Sequence, residues 1–280
     1  MYRIVTKTAL KPTVILYEIE APMVARKAQP GQFIILRVDE NGERIPITIH
    51  DYDREKGTVT IIVQTVGATT EKLSHKQQGD CLHDFVGPLG KPTETEGKKK
   101  VCVVGGGVGC AIAYPVLKKF HDCGAEVHAV VGFKSKDVVI LEDKFKAVSS
   151  VLKVCTDDGS YGQKGLVTEA LKELLDAGNV YDEIFAIGPM VMMKFVCKTT
   201  EPYGVPTTVS MSPIMIDGTG MCGGCRLTVG GQTKFACVDG PDFDGFEVDF
   251  DEAMHRGTMY KPFEAHAREA ECNLLKQEVQ

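Results

Sequence analysis

Val101-Cys102-Val103-Val104-Gly105-Gly106-Gly107-Val108-Gly109 opens a run of 17 residues, to Leu117, without a single charge. Its first four residues read as a strand buried on both faces, and the glycines after them read as a tight turn. From Ala111 to His121 the apolar positions recur at helical spacing. Strand, glycine turn and helix in that order begin a parallel α/β sheet. A membrane span is the poorer reading, because the glycines and Pro115 interrupt the run.

A turn of this kind presents free N–H groups and a helix dipole, which together favour a pyrophosphate. Gly105, Gly106, Gly107, Val108 and Gly109 are therefore candidate nucleotide contacts. The standard dinucleotide fingerprint is not met, since Cys110 holds the place of the third glycine, and a ligand-free turn is the alternative. Further apolar runs follow at Glu126–Val131, Val151–Val154 and Glu183–Ile187, with a second helical pattern over Val167–Ala177. Together they predict a doubly wound α/β unit. Gly188-Pro189-Met190 follows the last run directly, where a switch-point turn can face a nicotinamide.

Upstream, the polar stretch Thr93 to Lys100 marks a boundary. Before it lie short strand patterns at Val14–Ile19, Gln32–Val38, Ile45–Ile49 and Thr58–Val63, separated by turn residues such as Pro30-Gly31, Asn41-Gly42 and Lys56-Gly57. These predict a β-barrel with one short helix near Thr69–Lys76.

Downstream, Asp217-Gly218-Thr219-Gly220-Met221-Cys222-Gly223-Gly224-Cys225, with Cys237 beyond it, gathers three thiols among glycines. Glycine lets backbone N–H groups approach bridging sulfides, so a [2Fe–2S] cradle is the favoured reading, with Asp217 the nearest anionic fourth ligand. A zinc site completed by His255 or Cys272, or a redox dithiol, are the alternatives.

A net charge of −6 and a pI near 5.7 argue against nucleic acid as a partner. Met1 to Lys7 shows no apolar signal core, so a cytoplasmic location with reduced thiols is expected for the ten cysteines. Residues Pro262 to Gln280 read as a charged terminal helix.

Barrel, nucleotide unit with a late Gly-Pro-x-x-Met, and cluster module succeed one another as in the ferredoxin reductase-like proteins of the dihydroorotate dehydrogenase electron-transfer-subunit type. The chain resembles that family over nearly its whole length. Arg44-Ile45-Pro46-Ile47-Thr48 is similar to its flavin motif, which implies Arg44 at the FAD pyrophosphate and Thr48 near flavin N5. The same resemblance implies flavin contacts at Ile62, Val63, Gln64, Thr69 and Thr70 and a closing turn at Gly87-Pro88-Leu89-Gly90. It also covers Thr156-Asp157-Asp158-Gly159, where Asp157 and Asp158 would line the nicotinamide or ribose, although paired aspartates before a glycine are also an ordinary turn. Asp217 stands where that family has cysteine. An aspartate with three cysteines resembles the small subunit family of NADH-dependent ferredoxin:NADP+ oxidoreductase, also described as sulfide dehydrogenase-like.

The resemblance implies an FAD-binding barrel over 1–97, an NAD-binding α/β domain over 98–209, a [2Fe–2S] module over 210–258 and a tail helix over 259–280. It further implies hydride exchange between NAD(H) and FAD, and single electrons passed to a larger flavin and iron–sulfur subunit that serves ferredoxin and NADP(H). A dihydroorotate dehydrogenase or sulfide dehydrogenase subunit is the near alternative, and a zinc-stabilised nucleotide-binding module the distant one. Phe133-Lys134 after the second strand run offers no acid to select NAD over NADP.

Overall fold

The computed structural model describes residues 1–278, with side chains described to residue 270. Its first part is an antiparallel, barrel-like sheet of β1 (Tyr2–Lys11), β2 (Val14–Glu20), β3 (Phe33–Arg37), β4 (Ile45–Asp53), β5 (Thr58–Gln64), β6 (Cys81–Leu82) and β7 (Asp84–Leu89). The strands lie in the order β6-β1-β2-β5-β4-β3-β7. Alternation turns Tyr17, Ile19, Val59 and Ile61 into one buried cluster with Ile34 and Leu36. Helix α1 (Pro22–Ala25) caps one end, and α2 (Ala68–His75) is tied on by the Tyr17 hydroxyl, which donates to Leu73 O at 2.9 Å.

The second part is a sheet of β8 (Lys100–Gly106), β9 (Glu126–Phe133), β10 (Val151–Thr156), β11 (Gln163–Lys164), β12 (Glu183–Ile187) and β13 (Thr207–Ser210), all parallel. Helices α3 (Gly109–Asp122), α4 (Glu142–Val148), α5 (Val167–Asp176) and α6 (Met190–Thr200) connect them. The chain runs outward from β8 to β9 and β10, then returns to lay β12 on the other side of β8. That reversal leaves a crevice at the carboxyl ends of β8 and β12. Helix α3 continues through Pro115, which has no N–H to give to the Ala111 carbonyl four residues back.

The last part holds the hairpin β14 (Arg226–Val229) and β15 (Gln232–Phe235), then α7 (Ala236–Asp239). Strand β16 (Asp242–Asp244) returns to pair antiparallel with β13. Helices α8 (Phe250–Arg256) and α9 (Lys261–Glu278) close the chain, α9 lying against α2. No described helix is long and apolar enough to cross a membrane.

The three parts share cores. Val14 and Ile62 of the barrel pack into the cluster around α3, while Phe33 and Ile35 join Cys225 and Leu227 on the other face of the parallel sheet. The polar stretch at 93–100 is correspondingly no free tether: Thr93 and Thr95 are buried, and the Thr93 hydroxyl donates to Asp242 at 2.5 Å.

Candidate functional site

Strands β4 and β5, the first turn of α2 and the first turns of α3 enclose a cavity of about 660 Å³. Of the residues expected at a flavin, Ile45, Pro46, Ile47, Thr48, Ile62, Val63, Gln64, Thr69 and Thr70 all line it. Strand β4 supplies both Thr48 and His50 to the wall, with a register shift against β5 between Ile49 and Asp51. The wall is mainly apolar, and the turn from Gly67 to Thr70 adds polar groups. There the Thr70 hydroxyl oxygen accepts from the N–H groups of Val66 and Gly67, each at 2.9 Å. A cavity with mainly apolar walls and a helix N-terminus in its lining suits a flat ring system carrying phosphate.

Arg44 is exposed at the head of β4 and does not line the cavity. The lining cations are instead Lys261 and Arg268 of α9, at i and i+7 on the face that also presents Glu264 and Ala265. Gly87 and Gly90 lie elsewhere, under Ile34 and Phe33 of β3, with Gly90 also facing Pro241. Sequence reasoning missed His50, Ala111, Ile112, Ser212 and the α9 face. For His50 the signal was present, two residues beyond Thr48; for α9 it was not, since no local pattern says where a terminal helix docks.

The glycine turn stands at the crevice. Gly105 pairs with Ile187 across β8 and β12, so the turns after these two strands abut. A Cβ on Gly109 would come within 2.7 Å of Gly188 Cα and of Ile187 O, a contact that only glycine allows. Gly106 faces Pro189 and Met192 in the same way, and Met190 starts α6 directly after Pro189. Gly107 differs. Its φ is +56° and nothing lies within 4 Å of where its Cβ would be, while its N–H donates to Gly132 O at 2.8 Å. Val108 lines the same cavity as β4 and β5. The nucleotide turn and the flavin wall are thus adjacent.

Asp157 and Asp158 follow β10, two strands away from β8. Asp158 is taken up locally: one carboxylate oxygen accepts from the Ser160 N–H at 2.9 Å and from its hydroxyl at 2.6 Å, which holds the acid below its usual range. Asp157 is exposed.

In the cluster segment, Cys225 and Cys237 are buried with sulfurs 3.3 Å apart, while Cys222 is exposed on the loop between them and Asp217. The Gly224 N–H donates to the Cys222 sulfur at 3.5 Å, and the Gly220 N–H is directed at the Cys237 sulfur. Burial pushes the Cys237 thiol up to about 12. Asp217 caps the loop: its two oxygens accept from the Thr219 and Cys222 N–H groups, each at 2.8 Å, and the Thr219 bond leads in holding the carboxyl below its ordinary range. Among the described residues no three such side chains converge on one point. The donor set nevertheless fits a cluster, with thiolates supplied by one loop and the helix after it and amide N–H groups facing two of the sulfurs. The Arg256 guanidinium holds the loop's return by donating to Gly224 O and Arg226 O. Of the residues considered for zinc, His255 is exposed on α8 and the Cys272 side chain lies outside the described residues.

The loop also touches the barrel. A Cβ on Gly218 would meet Leu89 and Ile35, and Ser212, five residues before Asp217, lines the flavin cavity.

Residues 212–249 match the iron–sulfur cluster binding domain of dihydroorotate dehydrogenase B, which replaces the zinc reading. An uncharacterized protein in the adh 3′ region of Clostridium beijerinckii is 53% identical over 96% of this chain and 93% of its own. A dihydroorotate dehydrogenase B (NAD+) electron transfer subunit homolog of Thermotoga maritima is 48% identical over 92% of this chain and 91% of its own. Among solved structures, a chain of an NADH-dependent reduced ferredoxin–NADP oxidoreductase, described for flavin-based electron bifurcation, superposes with a TM-score of 0.91. It is 46% identical, covering 96% of this chain and 97% of that one. With barrel, switch-point crevice and cysteine loop in one frame, the chain belongs to the ferredoxin reductase-like family of dihydroorotate dehydrogenase B electron-transfer subunits and their homologues.

Proposed function

We propose that this chain is the NAD(H)-linked electron-transfer subunit of a flavin-based electron-bifurcating NADH-dependent ferredoxin:NADP+ oxidoreductase. It would work beside a larger flavin and iron–sulfur subunit that handles ferredoxin and NADP(H), in the cytoplasm. The observation that carries this reading is the full-length likeness to the bifurcating oxidoreductase chain. The adjacency of the cavity and the glycine turn agrees with it. A dihydroorotate dehydrogenase partner is the second reading, favoured by the names of relatives such as the Thermotoga homolog.

FAD supplies hydride acceptance and one-electron release, and a [2Fe–2S] cluster supplies one-electron carriage. The chain's part is placement. Strands β4 and β5 hold the ring system against Ile47, Ile62 and Val63, with the Thr48 hydroxyl on the same wall. Gly105 to Gly109, with Gly188 to Met190 across the crevice, let the dinucleotide pyrophosphate approach the backbone closely at the start of α3 and set the nicotinamide beside that wall. Cys222, Cys225 and Cys237 hold the cluster, and Asp217 orders its loop and stands as the fourth ligand. The segment from Ser212 to Asp217 joins a residue that lines the cavity to the loop that would hold the cluster.

Purification of the native complex tests this. A large flavin and iron–sulfur subunit should accompany the chain, and NADH should bleach its flavin absorbance. Isolation with a dihydroorotate-oxidising subunit would instead establish the second reading.

A further inference from the structure

His50 is buried to 2% exposure in the wall between β4 and α3. Its Nδ1 lies 2.7 Å from the Ala111 carbonyl oxygen. A carbonyl only accepts, so Nδ1 carries the proton and donates, which leaves Nε2 the bare acceptor. Nε2 has no partner, and the one strong bond of this ring is the one to α3. The carbonyl it reaches is the one that Pro115, for want of an N–H, leaves unbonded inside the helix. An orphan carbonyl in a buried helix costs about 1–3 kcal/mol unless something else donates to it. Here a side chain from another part of the fold does so.

We propose that His50 is a positioning residue that fastens the flavin-bearing strand β4 to the dinucleotide-bearing helix α3, and thereby sets the approach of hydride donor to acceptor. The inference rests on the reading of the two sites given above. Thr48 lies two residues from His50 and lines the same cavity wall, with the β4 register shift between Ile49 and Asp51 at His50, and Ala111 lies two residues into α3 from the Gly109 that closes the glycine turn. The fastening therefore joins the two walls close to where the substrates must meet. Its surroundings hold the ring rigid: it stacks on Tyr114 at 5.5 Å, and Tyr114 meets Phe145 of α4 edge-on at 5.6 Å. Lys144 and Asp51 are the charged groups that act on it, and burial holds the imidazole below its ordinary value, so the donating tautomer persists at neutral pH.

A merely structural histidine would satisfy a carbonyl and nothing more, and the proline makes the two roles separable. In His50→Leu the Ala111 carbonyl loses its donor and the strand loses its link. In the double variant His50→Leu, Pro115→Ala, the helix regains its own N–H donor while the link stays absent. The full chain is purified with its flavin, and three quantities are read: melting temperature, FAD affinity of the stripped protein, and the single-turnover rate of flavin bleaching by NADH. With FAD held saturating at the affinity so measured, His50→Leu should lower the melting temperature and slow bleaching by about tenfold to a hundredfold, the scale of an ångström's misplacement. The double variant should recover the melting temperature and remain slow. His50→Asn, whose amide can donate from nearly the Nδ1 position, should recover most of the rate. If the double variant recovers both stability and rate, or if His50→Leu bleaches at the parent rate, His50 only fills a carbonyl and the proposal is overturned. A parent protein that holds FAD but is not bleached by NADH would overturn the functional reading instead.

Discussion

The flavin cavity and the cluster loop are built in opposite ways. The cavity is walled by β4 and β5, whose shape is fixed by a backbone ladder from Ile49–Ile61 to Asp53–Thr58 and by a core behind it. Its wall residues are held by regular strands. The loop from Asp217 to Cys225 rests on short-range bonds, and its exposed Cys222 stands apart from the touching pair Cys225 and Cys237. A strand ladder fixes wall residues through the backbone, whereas a thiolate loop couples its ordering to metal binding.

The largest test of that contrast is loss of a thiol. Cys225→Ala or Cys237→Ala should abolish the cluster, with iron content near zero, while FAD remains at parental occupancy in the strand-walled cavity. If flavin is lost with the iron, the two sites are not independently built. Next comes the nucleotide turn. Gly107→Val forces a branched side chain to φ +56°, at a cost of about 1–2 kcal/mol, and obstructs the pyrophosphate. NADH affinity measured by titration should fall at least about tenfold with FAD and iron intact; loss of FAD alone would exchange the roles of the two parts.

Lys261→Ala combined with Arg268→Ala removes the cations that line the cavity. FAD affinity should fall by about tenfold, given about 1.5–3 kcal/mol for a charged hydrogen bond reduced by exposure, and riboflavin affinity should hold. Equal losses for both ligands would mean that α9 only covers the cavity. Asp217→Cys asks whether the loop cap is also an iron ligand. The cluster should persist with a shifted reduction potential and an altered resonance spectrum, since a carboxylate is the harder donor. Spectra and potentials unchanged in both Asp217→Cys and Asp217→Ala would leave it a cap alone.

The smallest effect lies at Asp242, half-buried where β16 meets the Thr93 hydroxyl. Burial leads in raising its acid above the ordinary value. A carboxyl whose folded value exceeds its unfolded one loses stability as pH rises from the unfolded value through the folded one. Asp242→Asn should therefore gain a few degrees of melting temperature over the parent above that window and less below it. A gap that narrows as pH rises would contradict the burial.

The sequence made the sheet interiors plain. Glu183–Ile187 was bounded to the residue, and β8 to β10 to within two, because strands buried on both faces read as continuous apolar runs. β1 was not seen: of its ten residues only Ile4 is fully buried, so no alternation announces it. β7 carries Gly87-Pro88, which local preference assigns to a turn, and it survives as a strand by pairing with β3 at the sheet edge. At the site, the strand residues from Ile45 to Gln64 were readable from motif and period. The α9 face and the hold of His50 on α3 were not, because each depends on a contact between segments distant in sequence.

The abutting turns after β8 and β12 bear on how this site can change by descent. Gly109 is confined by the backbone of Gly188 and Ile187, so a side chain there needs the opposite turn to move at the same time. Single mutations cannot explore that position whatever dinucleotide the lineage comes to use. A Cβ on Gly107 would meet no protein atom, and there only strain and the ligand exert selection on a side chain. A lineage released from nucleotide binding should therefore lose Gly107 while keeping Gly109, and the pattern of retained glycines in such descendants would record which constraint was lifted.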